Sequence, residues 1–183
     1  EVLKNQLHTS GFQRTYLAIC QGVPQPPAGV IDAPIGPKPG SLMEQMVRAD
    51  GKPARTHYRT LSLHGGRALV ELRLDPGRTH QIRVHMAEKG WPLLGDELYG
   101  GPMEEFPRQA LHCAGVAFTH PITGEQLCLT APLPEDMAAL LKKKGIGWRP
   151  VLTPFVEELL TVQPTTVEEI TERYRKPKQK GRP

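Results

Sequence analysis

Two strand-like runs separated by His64-Gly65-Gly66 constrain the fold of this chain more than any other feature. Residues Ala54 to Leu63 and Ala68 to Leu74 read as strands, and the glycines between them suit the tight turn of an antiparallel hairpin. In the second run Val70, Leu72 and Leu74 share one face while Glu71 and Arg73 share the other, the pattern of a half-buried strand. Arg14 to Gln21 (RTYLAICQ) reads as a strand ended by Gly22, Val30 to Ile35 as a short strand broken by Pro37 to Ser41, and Ala110 to Phe118 with Glu125 to Thr130 as another hairpin. Helices are expected from Thr79, as cap, to about Lys89, and from Pro134 to Lys143. Strands with few helices between them predict an α+β fold built on an antiparallel sheet.

The 183 residues are enough for one ordinary domain. Beyond Gly147 the pattern changes. Thr153-Pro154 and Thr165 to Glu169 look like helix starts, and Arg173 to Pro183 carries six basic residues without an acid, the composition of a disordered tail. We therefore expect one folded domain followed by an extension. The first residues already look amphipathic and Glu1 stands where an initiator Met would, so the chain reads as starting inside a larger protein or after processing.

A net charge of +4 and a pI near 9.1 are compatible with a polyanionic partner. Cys20, Cys113 and Cys128 have no CxxC spacing, which argues against a disulfide framework or zinc knuckle and for a reducing, cytoplasmic compartment. No apolar run approaches the ~20 residues of a membrane-spanning helix.

The densest polar chemistry lies in GRTHQIRVH, Gly77 to His85. A helix beginning at Thr79 turns its free N–H groups and positive dipole end outward, beside Arg78, an arrangement suited to a phosphate or carboxylate. Arg83, one turn in, has the fork geometry for a carboxylate. His80 and His85 project roughly 140° apart on a helix, too far to share a metal. A solvated helix start is the plain alternative.

This stretch is followed by GWPLLGDELYGG, RQALHC, HPITGE and APLPED, and preceded by RTYLAICQG, the APIG at Ala33 to Gly36 and GKPARTHY at Gly51 to Tyr58. Together, in this order from about Arg14 to Asp136, these segments closely resemble the RluA/RluD-like family of RNA pseudouridine synthases. The resemblance implies a mixed, largely antiparallel sheet with flanking helices, the C-terminal portion of a catalytic domain over residues 1–144, and an extension over 145–183 that lies outside it. The resemblance implies isomerisation of specific uridines in ribosomal or transfer RNA, with the nucleotide flipped out of its stack and no cofactor or metal used. It implies a nucleophilic aspartate, a tyrosine that packs on the base and helps remove the C5 proton, and an arginine that pairs with the aspartate. The tyrosine maps to Tyr16 and the arginine to Arg83. Arg78, Thr79, His80 and Gln81 would shape the turn and contact RNA.

The family's aspartate belongs to a motif His-Arg-Leu-Asp, two residues, Thr-Ser-Gly, upstream of the tyrosine strand. No Asp precedes Tyr16 here. Of Asp32, Asp50, Asp75, Asp96 and Asp136, Asp75 follows Arg73-Leu74 but occupies the slot before the GRTHQ turn, and Asp96 in GDELYG matches a structural position. The nucleophile is therefore expected from a missing N-terminal part of the same protein, whose absence would leave a sheet edge exposed. Pro37 stands where the family has an arginine, and KPGSLMEQM lacks the basic residue expected before Met46.

Two other readings remain open on the residues alone. In one, the chain is a non-catalytic RNA-binding relative, with Arg55, His57 and Arg59 alternating along one strand face. In the other, His112-Cys113 serves a hydrolase, although neighbours on a strand point to opposite faces.

Overall fold

The run Leu17-Ala18-Ile19-Cys20 is apolar at four consecutive positions, which a strand tolerates only when both its faces are covered. In the computed structural model, which describes residues 5–6 and 11–147, β1 (Phe12–Gln21) is such a strand, and these four side chains are buried. It lies between β6 (Arg67–Asp75) and β7 (Leu111–Thr119) in a six-stranded sheet of order β2-β5-β6-β1-β7-β8. Here β2 is Ala28–Asp32, β5 is Arg55–His64 and β8 is Gln126–Thr130. A separate two-stranded ribbon pairs β3 (Ile35–Pro37) with β4 (Gln45–Val47). Every pairing described is antiparallel, in keeping with the expected α+β architecture.

The β5–β6 connection, expected across His64-Gly65-Gly66, is a two-residue turn. Gly65 and Gly66 have φ of 55° and 72°, and His64 pairs with Arg67 across them. Two helices cover the sheet, one on each face. Helix α1 (Gln81–Glu88) sets Ile82 and Met86 against Ala18, Cys20, Val70 and Leu72. Helix α2 (Glu135–Lys143) sets Met137, Leu140 and Leu141 against Leu17, Ile19 and Leu69. Ile146 joins that second cluster, so the packed core reaches past the expected boundary at 144.

Three expectations are corrected. β6 is not half-buried: Glu71, on the face read as polar, has no exposure, and its carboxylate bonds Arg59 on the neighbouring strand at 2.7 Å. The strand placed at Val30 to Ile35 is two strands, split at Ala33-Pro34 where the chain passes from the main sheet to the ribbon. Helix α1 is capped by His80, not Thr79, with a left-handed φ of 55° and no side-chain cap bond. The expected helix starts at Thr153 and Thr165, the basic end and the amphipathic opening lie outside the described residues.

Candidate functional site

The polarity of GRTHQIRVH has two separate causes. Gln81 and His85 are interior groups that bolt α1 onto β5. The Gln81 amide donates to the Arg55 carbonyl at 2.7 Å and to Thr56 Oγ1 at 3.2 Å, and its Oε1 accepts from the Arg78 N–H at 2.8 Å. His85 Nε2 lies 2.9 Å from the Ala33 carbonyl oxygen, which can only accept, so Nε2 carries the proton. Nδ1 then accepts from the Thr56 hydroxyl at 2.8 Å. Burial holds the His85 imidazole below its ordinary pKa, consistent with this neutral form. Gln81, expected to contact RNA, is 1% exposed and spends its amide inside the chain; it shapes the turn instead.

Arg83 is the second cause. Its Nε and Nη2 donate to the two oxygens of Asp96 at 2.8 and 2.7 Å, a two-pronged pair with a carboxylate that is completely buried. Asp96 raises the Arg83 pKa further, and the guanidinium lies 4.8 Å from the centre of the Tyr99 ring. Arg83 itself stays partly exposed, and its Nη1 is not part of the pair. The carboxylate paired with Arg83 in this chain is thus the one from GDELYG.

That loop is made for the task. Asp96 and Tyr99 belong to one turn of 3-10 helix and its cap, with the Asp96 carbonyl accepting from the N–H groups of Tyr99 and Gly101. A Cβ on Gly101 would stand 1.9 Å from the Leu93 carbonyl oxygen, and one on Gly95 2.0 Å from that of Arg108. The phenol oxygen of Tyr99 accepts from the Gln45 N–H at 2.9 Å and lies 2.8 Å from His80 Nδ1. Burial first, then the Arg83 cation, lowers the His80 pKa. A neutral His80 whose Nδ1 accepts a hydrogen bond from the Tyr99 hydroxyl presents its Nε2–H away from Tyr99.

Tyr16 occupies the same sheet face as α1, packed at the margin of the cluster that holds Ile82. Burial and the neighbouring Cys113 raise its pKa, while Arg14, hydrogen-bonded to it, opposes the rise. Arg14 was missed by the sequence reading, although a spacing of two on a strand puts it beside Tyr16. A Cβ on Gly77 would lie 3.2 Å from Arg14 Nη1, so this guanidinium reaches the turn that opens GRTHQ. Arg78 Nε donates to the Pro53 carbonyl at 3.1 Å, and Thr79 is exposed.

The remaining basic residues do not join this site. Arg55, His57 and Arg59 pair across β6 with Asp75, Arg73 and Glu71, on the α2 face, opposite Thr56 and Tyr58, which face α1. Arg55 is bonded to Asp32 and Arg59 to Glu71. The sheet separates them from Tyr16 and Arg83. His112 and Cys113 also divide: Cys113 neighbours Tyr16, whereas His112 bonds the Ala131 carbonyl at 3.3 Å, which removes the hydrolase reading. Among the described residues no group of three His, Cys, Asp or Glu side chains is placed to hold a metal ion, and no helix is long and apolar enough to cross a membrane.

An antiparallel sheet with a helix on each face, a tyrosine on its central strand and an arginine on the helix above defines a class already suggested by the motifs. The family model described as RNA pseudouridylate synthase matches residues 1–88. An RNA pseudouridine synthase of Bacillus subtilis, YjbO, is 46% identical over 130 residues, covering 71% of this chain and 46% of that protein. A ribosomal large subunit pseudouridine synthase D of Nitrosomonas europaea is 44% identical, covering 76% of this chain and 43% of that protein. The human RNA pseudouridylate synthase domain containing 4 superposes with a TM-score of 0.65 at 25% identity, over 80% of this chain and 67% of that one. The chain belongs to the RluA/RluD-like family of RNA pseudouridine synthases. It spans about half the length of the curated relatives it matches.

Proposed function

We propose that this chain supplies Tyr16, Arg83 and the Arg78–His80 rim of a site that isomerises uridine to pseudouridine in RNA. The observation that carries the reading is the placement of Arg83. It is fixed on two sides by Asp96 and Tyr99, yet remains partly exposed on the sheet face that bears Tyr16. In this reading Tyr16 packs on the flipped base, and its phenolate, favoured by the Arg14 cation, accepts the C5 proton and becomes the neutral phenol. Arg83 orders a nucleophilic aspartate through the part of its guanidinium that Asp96 leaves over. In this reading that aspartate comes from sequence outside these residues, as the chain spans about half the length of its relatives. No metal or cofactor takes part.

Ribosomal RNA is the favoured substrate, on the name of the Nitrosomonas europaea relative, with transfer RNA the alternative. The compartment is the cytoplasm, in keeping with three free cysteines. A second reading, RNA binding without catalysis, is favoured by one observation: Asp96 already neutralises Arg83. Binding to unmodified large-subunit ribosomal RNA and C5 proton release, measured on protein expressed from its complete coding frame and on its Arg83→Met and Tyr16→Leu variants, separate the two. Catalysis requires that both variants lose proton release while keeping affinity; a wild-type protein that binds and never releases the proton supports the second.

A further inference from the structure

The ribbon formed by β3 and β4 ends in an exposed apolar tip. Leu42 is 105% exposed and Met43 65% exposed, side by side, with Met46 at 38% on the strand behind them. Single exposed apolar residues are ordinary and need no explanation. This pair differs because the loop that carries it is fixed. The Ser41 N–H donates to the Lys38 carbonyl at 3.1 Å, and the Ser41 hydroxyl accepts from the Glu44 N–H at 3.0 Å. Lys38 and Glu44 close the base of the loop with an ion pair at 2.6 Å. Arg48 lies across the ribbon, bonding the Pro37 carbonyl at 2.9 Å and gripping Asp50.

The tip is also tied to the candidate site. Gln45, the first residue of β4, donates its N–H to Tyr99, the phenol that touches His80 and underlies Arg83. A rigid apolar tip therefore stands at a set position relative to Arg83. With Lys38 neutralised by Glu44, the tip offers contact area and little charge, which suits base faces better than phosphates. Two side chains also fall far short of the ~800 Å² per partner that a stable protein interface needs.

We propose that Leu42 and Met43 form a wedge that inserts into RNA at the step opened by the flipped nucleotide. Apolar side chains of this kind unstack a base step and hold it open, and unstacking is the cost that base-flipping proteins must offset. The proposal rests on the reading of the site as one that flips a uridine.

The test is a titration of the full chain with a stem-loop RNA carrying a bulged uridine and 2-aminopurine as its 3′ neighbour. Wild-type protein raises the 2-aminopurine fluorescence on binding. The double variant Leu42→Ser, Met43→Ser lowers the rise at saturation about threefold or more, with affinity down by roughly threefold to tenfold and the salt slope unchanged. Both side chains are exposed, so the melting temperature stays put. A double variant that binds and unstacks as the wild type does overturns the wedge alone. A wild-type chain that does not bind the RNA overturns both the wedge and the site reading beneath it. A dimer that becomes a monomer on double substitution, with fluorescence unaltered, makes the tip a contact between copies and refutes the wedge.

Discussion

Arg83 and Asp96 form an asymmetric pair: the carboxylate has no exposure, while 14% of the arginine side chain is exposed. The asymmetry fixes which partner is costlier to lose. Arg83→Met leaves a buried carboxylate uncompensated and should cost about 3–5 kcal/mol. Asp96→Ala leaves a guanidinium that can turn toward water and should cost less. Urea unfolding of both variants checks the order, and a larger loss for Asp96→Ala would show that the loop and not the ion pair sets the stability.

The GDELYGG loop offers a contrast between neighbouring glycines. Gly101→Ala drives a Cβ into the Leu93 carbonyl, so the loop has to move, at about 1–3 kcal/mol and with Asp96 displaced from Arg83. Gly100 has a φ of 77° but nothing within 4 Å, so Gly100→Ala pays only left-handed strain, about 1–2 kcal/mol, and leaves the site intact. Thermal melts, together with RNA affinity, distinguish them: only Gly101→Ala should damage both.

His80 should be neutral at pH 7 with Nδ1 as acceptor and the proton on Nε2. Nitrogen-15 NMR of the imidazole reads this directly. A pyrrole-type Nδ1 would mean that the Tyr99 hydroxyl points elsewhere and that His80 offers no outward donor.

Stability should decline in acid in two stages. His80 and His85 have folded pKa values below their ordinary 6.5, so the folded state binds fewer protons than the unfolded one. Their contribution is complete above about 6.5 and is lost as pH falls through the lower, folded values. Glu105 is held at about 2 by hydrogen bonds from Arg67 and then Lys144, against an ordinary 4.5. Its contribution is present above 4.5 and disappears as pH falls toward 2. Glu105→Gln should flatten the second stage only, and His85→Gln part of the first; an unchanged pH profile in either variant would remove that residue from the account.

Local pattern made much of this fold legible. The Gly65-Gly66 turn, the apolar run of β1 and the polar turn before α1 are signals carried by neighbours in sequence. What failed depended on distant partners. Gln81 and His85 looked like surface chemistry because Thr56, 29 residues before His85, and Ala33, 52 residues before it, are what make them interior groups. The alternation of Arg55, His57 and Arg59 was correct, yet a strand does not disclose which of its faces a later helix will cover. Glu71 failed because the Arg59 that pairs with it lies on the neighbouring strand, twelve residues away. Arg83 was legible as a carboxylate partner through its motif, but the closeness of Asp96 became visible only when the GDELYG loop was placed against α1.

The most direct test of the central claim is tritium release from large-subunit ribosomal RNA transcribed with [5-³H]uridine, since isomerisation must expel the C5 hydrogen. Protein expressed from its complete coding frame should release tritium, with the rate lowered about a hundredfold or more by Arg83→Met or Tyr16→Leu. The 183-residue chain alone should bind the RNA without release. Release by that chain alone would place the nucleophile among its own residues, and full release by either variant would contradict the roles given to Arg83 and Tyr16.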